Sequence, residues 1–186
     1  AREASPPSLF NHVLRTFAFG GLVGAQQGMK FDEELFYVGA VLHDLGLTET
    51  HAGPERFEVV GADAAEAFMA ARGVPPERRA IVWDAIALHT SIGIASRKQP
   101  EIALIHIGAG MDVAGFGLNS LPKAVIDRLL QEWPRLDFKR ELFETFKELS
   151  TKYPEGTQLT WMSETARAHV PGYACPTFED LLFNAP

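Results

Sequence analysis

Four side chains with the chemistry of metal ligands lie within the first 112 residues of the sequence. His43 and Asp44 are adjacent, His12 lies 31 residues before His43, and Asp112 lies 68 residues after Asp44. All four have apolar neighbours, and a buried imidazole or carboxylate must be paired, hydrogen-bonded or metal-bound because burying it bare costs several kcal/mol. Two imidazoles and two carboxylates together suit a divalent ion of intermediate softness. Taken one at a time, the same residues are equally typical of hydrogen-bonded core histidines and helix-end acids.

The elements that carry these residues are predicted to be helices. Apolar residues recur mostly at helical spacing, and no run alternates as a strand would. The pattern predicts an all-α fold of about seven helices, with a less regular helix near 163–169. Ser8 is the predicted N-cap of the first helix, and Gly24 and Gly46 are the predicted ends of the first and second. The seven predicted helices cover residues 9–23, 32–46, 57–72, 76–89, 101–113, 121–133 and 137–152.

Composition and charge narrow the class of protein. The chain has 186 residues, of which 46% are hydrophobic and 22% charged, so a single globular domain is expected over 1–186, with a core at about 9–152 and a tail at 153–186 packed on it. The single cysteine, Cys175, excludes an internal disulfide and favours a cytoplasmic location. The net charge of −7 disfavours nucleic-acid and anionic-membrane partners. We expect a small-molecule substrate as the partner.

Several short strings resemble the HD superfamily of metal-dependent hydrolases, and within it the cyanamide hydratase branch. The pattern of an upstream helical His, a His-Asp pair and a downstream helical Asp is the superfamily signature. The chain departs from fungal cyanamide hydratases at one motif, where His-Glu-Asp is replaced by His89-Thr90-Ser91. The matching strings are NHVLRTF at 11–17, LHDLG at 42–46, FEVVGA at 57–62, LHTSIG at 88–93 and MDVAG at 111–115.

The resemblance implies a compact HD-domain helical bundle with one divalent transition metal. Its implied ligands are His12, His43, Asp44 and Asp112, and its implied ion is zinc or iron, with manganese, cobalt or nickel as alternatives. Open coordination positions would let the ion activate water. The implied activity is hydration of cyanamide or another small, largely neutral nitrile, as a hydratase or lyase. The absence of a well-placed histidine in the third predicted helix argues for one metal rather than two.

Other polar residues are candidates for catalysis and substrate binding. His89, at the end of the fourth predicted helix, is the best candidate for an acid/base, and Glu49, in the loop after Asp44, is the second. Glu58, Thr90 and Phe116 are predicted to contact substrate. The alternatives are a surface or helix-capping position for His89, a solvated loop position for Glu49 and a first-turn helix position for Glu58. A ligand role at a second ion is a further alternative for His89.

The remaining candidates are predicted to have supporting roles. His106 is expected to be structural or at the pocket edge, and His51 and His169 are expected to be exposed. Arg15, one turn after His12, is expected to bind an anion or to pair with an acid. Apolar positions in the 121–152 region are expected either in the core or in a homo-oligomer interface: Val125, Leu129, Leu142, Phe143 and Phe146.

Two alternatives to the nitrile hydratase hypothesis follow from the same residues. An HD-type phosphohydrolase would act on a nucleotide or another phosphate ester, but such sites usually present several cationic side chains or an anion nest. Near the candidate ligands the sequence offers only Arg15 and Arg56. A non-catalytic HD scaffold or sensor, and an oxygenase with two iron ions, are the remaining alternatives.

Overall fold

The computed structural model describes residues 1–186 as helices joined by short turns, without β-strands. The predicted all-α class is confirmed, and the seven predicted helices are all present. An eighth helix lies near its predicted position, and a short ninth was not predicted. The helices are α1 Pro7–Gln26, α2 Glu33–Leu42, α3 Phe57–Ala70, α4 Pro76–Leu88, α5 Pro100–Ala114, α6 Lys123–Glu132, α7 Phe138–Lys152, α8 Trp161–His169 and α9 Phe178–Phe183.

Helix α1 is longer at both ends than the sequence predicted. Ser8 is not its N-cap: the helix begins at Pro7, whose fixed φ and missing N–H suit a first turn. The helix also continues through Gly24 to Gln26. Glycines in both helices allow α1 and α5 to cross closely. A Cβ atom at Gly20 would lie 2.4 Å from the Leu104 carbonyl oxygen, and one at Gly108 would lie 2.1 Å from that of Thr16. This close crossing holds His12 of α1 beside Asp112 of α5.

Helix α2 ends immediately before the His-Asp pair. His43 still has helical dihedrals, but Asp44, with φ −106° and ψ 17°, leaves the helix and begins a single 3-10 turn over Leu45–Leu47. The prediction that Gly46 ends the helix is therefore wrong. It lies in the turn, where a Cβ would be 1.9 Å from the Phe57 carbonyl oxygen. The glycine lets the first turn of α3 pack directly against the His-Asp turn.

The carboxyl-terminal helices cover one end of the α1–α5 bundle. A buried cluster of six side chains joins α1, the 3-10 turn after Asp44, α3, α7 and α8, and α7 and α8 pack on each other. Helix α6 has no fully buried residue, and the apolar side chains of α9 are exposed. No helix of the chain is both long enough and apolar enough to cross a membrane. The six side chains of the cluster are Leu9, Leu47, Phe57, Phe138, Phe146 and Met162.

Candidate metal centre

Three of the four predicted ligands converge on one buried point. The Nε2 atoms of His12 and His43 are 3.3 Å apart, and each lies 3.3 Å from Oδ2 of Asp44. The three side chains are 0–5% exposed. Asp44 and His43 can face the same point because the chain leaves the helix between them. The structure thus brings together one group of donors that could hold a metal ion.

The imidazole rings of this group have defined tautomers. His43 Nδ1 lies 2.7 Å from the Ala40 carbonyl oxygen, which can only accept, so Nδ1 carries the proton. His12 Nδ1 lies 2.8 Å from Oδ2 of Asp112 and donates to it in the same way. In the neutral form of each ring, which a metal ligand requires, the lone pair is therefore on Nε2, which faces the cluster. Metal-binding histidines are typically oriented by such a bond from the other ring nitrogen.

Asp112 occupies a different position from the one predicted for a ligand. It lies on the far side of the His12 ring, where it accepts the Nδ1 proton instead of joining the group of three donors. Arg15 donates from Nε to Oδ1 at 2.9 Å and from Nη2 to Oδ2 at 2.8 Å, and Arg135 Nη1 is 3.0 Å from Oδ1. Both carboxylate oxygens are therefore engaged. Of the two roles expected for Arg15, pairing with an acid is the one observed.

The partners of Asp112 also set its ionisation. Burial raises the pKa of this carboxyl, but the hydrogen bonds from His12 and Arg15 outweigh burial and bring the pKa to about 2. Asp112 is thus an anion at neutral pH with its charge balanced by guanidinium groups. Its contact with His12 orients the ring and makes Nε2 a better donor to a cation.

Asp44 is buried without a lysine or arginine partner. Its contacts are imidazoles: His12 and His43 at Oδ2, and His89, whose Nε2 is 3.6 Å from Oδ1. Burial raises the Asp44 pKa, but the charge of His43 and a hydrogen bond from His12 hold it well below its ordinary value. Burial lowers the pKa of His12, and its hydrogen bonds with Asp112 and Asp44 raise it overall. Because a buried carboxylate needs a compensating positive charge, this donor set fits a divalent cation.

The donors open onto a cavity of about 310 Å³ with mainly apolar walls. No lysine or arginine lines it, so Arg15 and Arg56, the two cations near the candidate ligands in sequence, do not face the cavity. Aromatic rings from α3, α7 and α8 form one part of the wall, and α5 and the segment after it form another. The polar lining residues are His12, His43, Asp44, His89, Thr90 and His106, and the aromatic ones are Phe57, Phe116, Phe146 and Trp161.

A family model, the HD domain, matches residues 9–137, which span the three converging donors and Asp112. The chain belongs to the HD domain family. No curated protein matches the chain. HD domains are generally metal-dependent hydrolases, and the His12–His43–Asp44 group agrees with such metal use.

His89 lies in the HD domain cavity next to the metal donors. It is 6% exposed, so it is not a surface histidine, but it does occupy the C-cap of α4, as the capping alternative has it. Its Nδ1 donates to the Ile86 carbonyl oxygen at 2.6 Å, which leaves the lone pair on Nε2, the atom nearest Asp44. Burial, together with the charge of His43, lowers the His89 pKa to about 4. The ring is therefore neutral at pH 7 and able to accept a proton.

Glu58, Thr90 and Phe116 have three different relations to the cavity. Thr90 lines it and donates its hydroxyl proton to Glu58 Oε1 at 2.6 Å. Glu58 is buried behind Thr90 and paired with Arg56 at 3.0 Å, so it does not line the cavity as predicted but holds the Thr90 hydroxyl. Phe116 lines the cavity at its rim, where 62% of the residue remains exposed.

Glu49, the second predicted acid/base, is not brought to the cavity. It is exposed and borders a separate cleft that also contains Glu3, Glu141 and Glu148. The 3-10 turn after Asp44 redirects the chain, and Thr48 Oγ1 caps that turn by donating to the Leu45 carbonyl oxygen at 2.7 Å. A catalytic role for Glu49 therefore has no support in the structure.

Sequence reasoning missed two contributors to the site. Arg135, in the turn before α7, donates to the Asp112 carbonyl oxygen at 2.7 Å and contacts its side chain, and no sequence signal connects it to a residue 23 positions earlier. Trp161, at the start of α8, contributes a cavity wall through contacts with Phe57 and Phe146. His169 is exposed, as predicted, whereas His51 is half-buried beside Thr48.

Proposed function

We propose that the chain is a metal-dependent hydratase that adds water to the C≡N group of a small, largely neutral substrate such as cyanamide or a short nitrile. The observation that carries the proposal is the cavity lining. It combines buried metal donors with apolar walls and includes no lysine or arginine. A phosphate group brought into such a cavity would meet no cationic side chain, so the phosphohydrolase alternative has less support.

His12, His43 and Asp44 would hold the ion, with Asp112 orienting His12. Imidazole and carboxylate donors favour zinc or iron, with manganese, cobalt and nickel as alternatives. When bound, a divalent ion supplies Lewis-acid chemistry by polarising the electrophile and acidifying water. The donors are rigid, because both rings are fixed through Nδ1 before any ion arrives.

His89 is the proposed acid/base. Its neutral ring presents the Nε2 lone pair to the cavity and can accept a proton from attacking water. The water oxygen forms a bond to the nitrile carbon, and His89 returns the proton to the nitrile nitrogen. The resulting imidic acid rearranges to the amide, which for cyanamide is urea. Atoms balance with water as the only co-reactant.

Thr90 and the apolar walls are proposed to position the substrate. The Thr90 hydroxyl proton is committed to Glu58, so its oxygen offers lone pairs to the substrate. The aromatic walls exclude bulk water, which strengthens the polar contacts within the cavity.

The test is a steady-state assay of product formation by the protein loaded in turn with zinc, iron or manganese. Cyanamide, acetonitrile and a panel of nucleoside monophosphates serve as substrates, and His89→Gln is the variant. We expect amide or urea formation that falls about 100-fold or more in the variant, within the range of general acid–base catalysis. Phosphate release without nitrile hydration would replace the proposal with the phosphohydrolase alternative. A metal-loaded chain that turns over neither class would favour the scaffold alternative.

A further inference from the structure

His106 lines the cavity but has no part in the metal centre or in the proposed proton transfer. It lies on α5, and its Nδ1 is 2.7 Å from the carbonyl oxygen of His89. A carbonyl oxygen only accepts hydrogen bonds, so Nδ1 of His106 carries the proton. The lone pair of the neutral ring is therefore on Nε2.

The Nε2 atom of His106 makes no hydrogen bond within the protein. The only buried side-chain polar atoms without a partner are Thr16 Oγ1 and Arg79 Nε. The unpartnered Nε2 of His106 is therefore not sealed inside the protein. The residue is half-buried and lines the cavity, and Nε2 is the one polar atom of its ring that the protein leaves free for a bound molecule.

The other polar groups beyond the metal donors also present lone pairs. His89 has its proton on Nδ1, and Thr90 directs its proton to Glu58. No lysine, arginine, asparagine or glutamine lines the cavity, and its remaining side-chain N–H donor is the Trp161 indole. A substrate with N–H groups would satisfy these acceptors, whereas an N-alkylated one would leave them unpaired.

We propose that His106 determines substrate specificity by accepting, at Nε2, a hydrogen bond from an N–H group attached to the reacting carbon. The inference rests on the proposed hydration and adds a substrate class to it: amino-substituted nitriles in preference to their N,N-dialkyl analogues. A site built to bond an N–H group discriminates against an analogue that lacks it, because the bound analogue covers a polar atom and leaves it unpaired.

Two substitutions separate this role from a purely structural one. His106→Asn places an amide N–H where Nδ1 lies, so it keeps a donor for the His89 carbonyl and loses only the acceptor. His106→Phe keeps an aromatic ring and loses both. If His106 only held the main chain of His89, Asn would be harmless and Phe damaging. The proposal predicts that both lose substrate preference.

The kinetic test compares cyanamide with N,N-dimethylcyanamide on the zinc-loaded wild type and both variants. We expect His106→Asn to raise KM for cyanamide roughly 3- to 10-fold, as the loss of one hydrogen bond would. KM for the dimethyl compound should stay the same, and kcat for cyanamide should stay within about twofold, because uniform binding is lost. An unchanged KM for cyanamide, or equal increases for both compounds, would overturn the proposal.

A second readout does not depend on turnover. In zinc-loaded protein carrying ¹⁵N-histidine, the Nε2 signal of His106 should move upfield on addition of urea but not of tetramethylurea. If no nitrile is hydrated while this signal still discriminates between the ureas, the proposed function fails, whereas the acceptance of an N–H group by His106 stands. If cyanamide is hydrated but the His106 signal responds to neither urea, the inference fails and the function stands.

Discussion

Two buried aspartates lie on opposite sides of the His12 ring, and their surroundings differ in one respect. Asp112 contacts Nδ1 of the ring and is paired with Arg15 and Arg135. Asp44 contacts Nε2 and has only imidazoles around it. Both are almost completely inaccessible, at 1% and 5% exposed. Burial alone therefore does not distinguish them, but charge compensation does.

The difference assigns a separate task to each carboxylate. Asp112 has its charge balanced by guanidinium groups and both oxygens engaged, so it can orient His12 but has little need of a further cation. Asp44 has no cationic side chain and faces the cavity, so its charge is available to an ion. The same residue type thus serves as an anchor on one side of the ring and as a ligand on the other.

The largest effect is expected from Asp44→Asn on the proposed hydration activity. Loss of the charged ligand should remove the ion, whose contribution to transition-state stabilisation is several kcal/mol, so kcat/KM should fall at least about 1000-fold. Steady-state assays at saturating metal measure this. Activity within about tenfold of wild type would show that Asp44 lacks the metal-ligand role that distinguishes it from Asp112.

A large stability effect is expected from Asp112→Asn in protein stripped of metal. The substitution removes the carboxylate charge that balances the buried Arg15 guanidinium. The free energy of unfolding should therefore fall by about 3 kcal/mol. Chemical denaturation measures the change, with Asp44→Asn as the matched control. The control should lose less, because it leaves no arginine unpaired. Equal losses from the two variants would count against the comparison.

The same carboxylate should make stability depend on acid pH. The folded-state pKa of Asp112 is lowered to about 2 from 3.8, so its contribution is present above about pH 4 and lost as pH falls towards 2. The difference of about two pKa units corresponds to about 2 kcal/mol. The stability gap between wild type and Asp112→Asn, measured by denaturation, should narrow by that amount from about pH 5 to about pH 2. A gap that stays constant over this range would contradict the assigned pairing.

The smallest effect is expected from Glu49→Gln. The side chain is exposed and outside the cavity, so kcat/KM should change by less than about twofold and stability by less than about 0.5 kcal/mol. A large loss of activity would restore the acid/base role predicted from sequence and show that the site extends beyond the described cavity.

The fold could be predicted from sequence because helical periodicity is local, and the three donors because the family resemblance groups them. Helical periodicity placed seven helices, and the adjacent His-Asp pair at a helix end required no long-range information. The predicted ends of α1 and α2 were less accurate. Gly20, Gly24 and Gly46 allow close contacts that only the packed structure reveals.

The separate tasks of the aspartates could not be predicted in the same way. Asp112 was correctly predicted to lie on the fifth helix, but its contacts depend on Arg15 from α1 and Arg135 from a distant turn. Such partners decide whether a carboxylate is free to bind a cation, and the sequence does not show them together. The prediction that Glu49 lies at the site did not hold for a related reason. A single turn is enough to direct a neighbouring residue away from the cavity.

Metal content tests the central claim most directly. Wild type, His43→Gln and the matched control His169→Gln, which changes an exposed histidine outside the site, are incubated with zinc, dialysed and measured by elemental analysis. We expect one ion per chain in the wild type and the control, and none retained by His43→Gln. Wild-type metal content in His43→Gln would show that His12, His43 and Asp44 do not form the metal site.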